Sequence, residues 1–148
     1  MELVLKSLRL PSAVVDGIEQ IAAETGLTFS DVVEVALRKE LNMPVNALHE
    51  LILEASAWLR SRYPTGTQFP QDVTLRTVHQ IRDEPVLRAL YDGAVSNGSG
   101  SVDPDARHVV HRQVGRMVKR VLGARVVGRS NPLDPSVHLI SSHALLAQ

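Results

Sequence analysis

The chain of 148 residues contains no cysteine, which excludes disulfides and thiolate metal sites and leaves packing to hold the fold. Aromatics are almost as scarce: one Trp, two Tyr and two Phe, 3% of the sequence. Any core is therefore aliphatic, built from Val, Leu, Ile and Ala. No apolar run approaches the roughly 20 residues that span a bilayer, and the first residues lack the basic-then-apolar layout of a secretion signal. A soluble, cytoplasmic protein with no membrane partner is expected. No Gly-rich phosphate loop follows a strand-like segment, no Ser elbow occurs, and no His-Glu-x-x-His sequence appears, so neither enzymatic activity nor a cofactor is expected.

Acids are missing from one long stretch. Hydrophobic residues make up 44% and charged residues 22%, a globular composition, and the formal net charge is zero. That zero is unevenly distributed. Residues 1–45 carry four bases against seven acids, and residues 46–105 carry five against eight, each a net of −3. Residues 106–148 carry seven bases against Asp134 alone, a net of +6, and no acid lies between Ala106 and Leu133. A block of one sign in a folded stretch suits a polyanion. The alternative is a solvated face paired with acids elsewhere in an oligomer.

The N-terminal third has a short, alternating segment, Leu3 to Leu10, ended by Pro11, which lacks the N–H that a strand ladder needs. Ser12 then precedes an apolar stripe, Val14, Val15, Ile18, Ile21 and Ala22, at helical spacing, closed by Gly26. Thr28 or Ser30 caps a second helix with Val32, Val33, Val35, Ala36, Leu37 and Leu41, stopped by Pro44. A strand of about eight residues and two helices of about a dozen are too small to bury a core alone, so pairing of two copies is expected.

The order Leu8-Arg9-Leu10-Pro11, then a helix ending Ala22-Ala23-Glu24-Thr25-Gly26, then Thr28-Phe29-Ser30-Asp31-Val32-Val33, resembles the ribbon-helix-helix family of DNA-binding proteins over residues 3–43. The resemblance implies a homodimer, or a higher even oligomer, whose paired strands read double-stranded DNA in the major groove. It implies that Leu5, Ser7 and Arg9 face the bases and that Thr28, Ser30 and the amides after them hold phosphate. The fold class expected is mainly α with minor β. A module over residues 1–45 is followed by a helical C-terminal domain over 46–148, with a basic helix at 105–122 and a β-hairpin at 124–146.

In that second domain, Leu48, Leu51, Ile52, Ala55 and Leu59 share one helical face, and further helices are expected near Val73–Ile81 and Pro85–Val95. Asp83-Glu84 before Pro85 reads as a helix start, as does Asp103-Pro104-Asp105. The basic helix places Val110, Val114, Met117, Val118 and Val121 on one face. His108, Arg112, Arg116 and Lys119 fall opposite, with Arg120 beside them and Gly115 within the polar stripe. Two strand-like runs, 125–127 and 137–140, then flank a turn-rich connection, with Arg125 on the first run and Arg129 in the connection. This order of elements is similar to a winged helix and implies a second DNA-binding surface; the same stripe also suits an acidic protein partner.

His108 and His111 stand three residues apart, a spacing seen in metal sites, but they differ in direction by about 60° on the helix and no thiol is present to complete a ligand set, so no metal is expected. The function expected is a sequence-specific transcriptional regulator. An antitoxin that autoregulates its operon, or an architectural or relaxosome accessory protein, is the alternative.

Overall fold

The computed structural model describes residues 2, 4–64, 69–96 and 100–123. Among these, the secondary structure is helical: α1 (Ser12–Thr25), α2 (Phe29–Glu40), α3 (Ala47–Arg62), α4 (Val73–Asp83), α5 (Pro85–Val95) and α6 (Pro104–Leu122). The helix ends follow from local chemistry. The Thr28 hydroxyl accepts from the Asp31 amide while the Asp31 carboxylate accepts from the Thr28 amide, a reciprocal capping box that opens α2. The Asn46 side chain accepts from the His49 amide at the head of α3. Glu84 ends α4 and opens α5, its carboxylate accepting from the Leu87 amide, with Pro85 in the first helical position where no N–H is required. Asp103 does the same for α6, accepting from the amides of Asp105 and Ala106. Gly26 and Gly123 close α1 and α6 at φ 77° and 59°, a region that costs an L side chain about 1–2 kcal/mol.

The centre of the molecule is α3, which touches each of the other five helices. Its Leu51, Ile52, Ala55 and Leu59 are fully buried, as are Met117 and Val118 of α6. Val73 and Ile81 from α4 and Leu87 and Val95 from α5 join the same cluster. Leu27 and Val32 belong to it too, with Ile18, Ile21 and Ala22 of α1 packed against it. One core therefore runs through residue 45 without a break. Ion pairs reinforce it at the edges: Lys39 of α2 holds Glu50 and Glu54 of α3 at 3.0 Å each, and Arg60 of α3 holds Glu24 of α1.

The expected mixture of helix with minor strand is replaced by helix alone. No strand or sheet occurs among the described residues; the nearest thing is an isolated antiparallel bridge between Ser96 and Val102. The ribbon expected at the N-terminus does not form. Val4 to Leu10 have no strand partner among the described residues, and Leu5 is 95% exposed. The physical reason is that a strand is made by its neighbour: alternating side chains supply a face, but the ladder groups need a second backbone, and a single chain offers none here. The hairpin expected at 124–146 lies outside the described residues.

Because α3 carries the centre, its apolar side chains dominate stability. Leu51→Ala is expected to lower unfolding free energy by about 2–5 kcal/mol, read from a urea midpoint, whereas Arg116→Ala on the solvent side should stay within about 0.5 kcal/mol. Equal effects at both positions would contradict this packing.

Candidate nucleic-acid interface

The packing of α6 decides where its charges go. Val110, Val114, Met117 and Val118 are buried against the core, so the opposite side of the helix faces solvent. Arg112, Arg116 and Arg120 are exposed and follow one another at four-residue intervals, about 6 Å per step along the axis. Lys119 is half-buried beside them, and His108 is half-buried one turn before Arg112. One position differs from the expected wheel. Gly115 is buried and lies outside the polar stripe, and His111 is buried alongside it.

The cations of α6 differ from many of those elsewhere. Arg38 pairs with Glu34, Lys39 with Glu50 and Glu54, Arg60 with Glu24, Arg76 with Asp72, Arg82 with Asp83, and Arg88 with Asp92. Among the described residues, no carboxylate lies within ion-pair distance of Arg112, Arg116, Lys119 or Arg120. No acid of the described fold neutralises them, and a row of unneutralised guanidiniums is what a polyphosphate requires. At the C-terminal end of the row, the Arg120 guanidinium lies over the α1–α2 turn, so close to Gly26 that a Cβ there would collide with Arg120 Nη1. In that position the guanidinium faces the negative end of the α1 dipole, and α1 has no basic residue of its own in its last turn.

The N-terminal residues stand differently. The Thr28 hydroxyl and amide are both committed to Asp31, and that carboxylate is held below its usual pKa by the Thr28 amide first and the hydroxyl second. A phosphate approaching the head of α2 therefore meets an anion already in place. Ser30 is exposed beside it. Leu5, Ser7 and Arg9 are exposed on the unpaired segment before α1, on no strand face. The structure thus brings Arg112, Arg116, Lys119 and Arg120 onto one helix and joins Arg120 to the turn before Thr28, but it does not join them to Arg9. Arg125 and Arg129 lie outside the described residues.

A second constellation is not apparent from the sequence. Tyr91 of α5 and His111 of α6 share a hydrogen bond of 2.6 Å between Tyr91 Oη and His111 Nε2, with their rings stacked 5.6 Å apart. Burial lowers the His111 pKa, assisted by the charges of Arg107 and His108. Burial likewise raises that of the Tyr91 phenol. Both groups are therefore neutral near pH 7, and His111 is engaged within the fold instead of standing with His108 as a ligand pair. The only signal for it in the sequence is that residue 111 falls at the edge of the apolar arc, about 20° beyond Val118 on the wheel.

No protein-family model, no curated protein and no solved structure matches this chain. No helix among the described residues is long and apolar enough to cross a membrane.

The neutral His111 makes stability depend on pH. Its folded pKa lies below the ordinary 6.5, so the unfolded chain takes up the proton first. Its contribution is full above about pH 6.5 and declines as pH falls through that value toward the folded pKa. Urea midpoints at pH 7.5 and pH 5.5 should differ more for the native chain than for His111→Phe, these conditions bracketing roughly one pH unit either side of an ordinary histidine. The same difference in both proteins would refute the assignment.

Proposed function

We propose that the chain is a homodimeric, sequence-specific DNA-binding protein acting as a transcriptional regulator, and that α6 supplies its grip on duplex DNA. The observation carrying this reading is the row of cations on α6 that no acid among the described residues neutralises. From Arg112 to Arg120 the row climbs about 12 Å, close to the roughly 12 Å width of a B-DNA major groove. Total charge is zero, so attraction to DNA depends on this local concentration.

Dimerisation is supported by apolar surface that one copy leaves uncovered. Phe29, Val33, Leu37 and Leu41 line an open groove of about 410 Å³ along α2. Val4 and Leu8 are 68% and 75% exposed on the segment that leads into α1. A second copy seated on these side chains removes them from water, at about 25 cal/mol for each Å² buried. It also doubles the cationic rows, as a two-fold symmetric operator requires.

Two measurements test the reading. The double substitution Arg112→Ala/Arg116→Ala should weaken binding to duplex DNA and flatten the plot of log affinity against log salt by about 0.9 for each phosphate no longer neutralised. Both side chains are exposed, so the fold should persist; an unaltered slope would exclude α6 as the grip. Arg9→Ala addresses sequence reading. Reduced discrimination at a single base pair, worth about 1–3 kcal/mol, supports direct reading of that base, and an equal weakening on every sequence counts against it.

A further inference from the structure

A cleft of about 190 Å³ opens between α4, α5 and α6 on the far side of α6 from its basic row. Its walls are apolar: Val78 and Ile81 from α4, and Val114 from α6. Tyr91 and His111 close one side with their mutual hydrogen bond. Arg82 from α4 and Arg88 from α5 stand at its edge, and no carboxylate among the described residues lines it. We propose that this cleft binds a small aromatic carboxylate, its ring against Val78, Ile81, Val114 and the Tyr91 ring, and its carboxylate on Arg82 and Arg88.

The size and the chemistry agree on that class. An apolar cavity of about 150 Å³ accepts benzene, so 190 Å³ holds one six-membered ring with a carboxylate at the mouth. Both arginines are half-exposed and now paired with Asp83 and Asp92, at 3.0 and 3.1 Å, neither of which lines the cleft. Exposed pairs of this kind contribute little and exchange partners readily. A carboxylate fixed between two guanidiniums, with its ring out of water, has the better competing arrangement. The Tyr91 hydroxyl is shared with His111 Nε2, and burial keeps the phenol protonated, so no negative charge from this side opposes the ligand's carboxylate.

His111 lies in the wall of the cleft. Its Nδ1 is buried and has no hydrogen-bond partner, whichever way the proton lies in the bond to Tyr91. Buried polar atoms without partners are uncommon and costly, and they recur where a protein has a function to serve. Nδ1 itself is closed to solvent, within the wall and not at its surface, so what the cleft offers a ligand from this side is the edge of the Tyr91–His111 pair.

Binding itself does not rest on the DNA-binding reading, and the test keeps the two apart. Benzoate is titrated into the full chain and followed by NMR, with benzylamine as a probe of the same shape and opposite charge. Benzoate should shift Val78, Tyr91, His111 and Val114 saturably, and benzylamine should not. Arg82→Ala/Arg88→Ala, at two exposed positions that leave the core intact, should weaken benzoate by about tenfold or more. No saturable shift with millimolar benzoate overturns the proposal, as does equal binding of benzylamine or indifference to the arginine substitutions. A chain that binds benzoate but not duplex DNA keeps the cleft and loses the regulator; the reverse outcome keeps the regulator and loses the cleft.

Discussion

The burial of one stripe of α6 against α3 is the constraint on which the rest of the molecule depends. Met117 and Val118 are completely removed from solvent, and so are Leu51, Ile52, Ala55 and Leu59 of the helix that α6 meets. With that seam fixed, the rotation of α6 about its axis is fixed, and every other side chain on it has a determined direction. Arg112 and Arg116 point outward as a consequence. The seam also sets the position of Arg120 over Gly26, which ties the end of α6 to the α1–α2 turn.

Charge is organised around the same seam. Arg38, Lys39, Arg76, Arg82 and Arg88, spread over α2, α4 and α5, are each matched with an acid close by, and each pair lies at the surface, where its worth is small but its charge is cancelled. Along the outer side of α6 that cancellation stops. A neutral protein can therefore present a positive surface, because neutrality is reached by adding regions of opposite sign, and at distances beyond about 10 Å in ordinary salt those regions do not see one another.

How much of this is legible in the residues depends on whether the cause is local. The starts of α5 and α6 are plain in Glu84-Pro85 and Asp103-Pro104, because a cap acts on amides two or three positions away. The outward direction of Arg112 and Arg116 follows from helical spacing alone. The strand expected over residues 3–10 fails because alternation describes a face without supplying a partner, and pairing depends on backbone that is distant or belongs to another molecule. Gly115 departs from expectation for a different reason. The wheel marks the aliphatic stripe, but α6 is also flanked by α1 and α5, so its buried arc is wider than its apolar one and takes in a glycine and a histidine. Helical periodicity reports which residues prefer burial, and tertiary neighbours decide which others are buried with them.

That wider arc gives α6 two working sides. His111 and Val114 face the cleft, while Arg112, next to His111, and Arg116, two residues after Val114, stand on the solvent side. A helix cannot rotate one of these faces without rotating the other. Occupancy of the cleft can alter the cationic row only through a difference in affinity between two positions of α6, since a ligand that holds both positions equally moves neither. Met117 and Val118 resist any such movement at the C-terminal half, where the helix is pinned to α3. The N-terminal half is held as well, by Val110 at 1% exposure, by the Tyr91–His111 bond and by the bridge between Ser96 and Val102. The seam that fixes the row of cations is thus the element any signal from the cleft would have to work against.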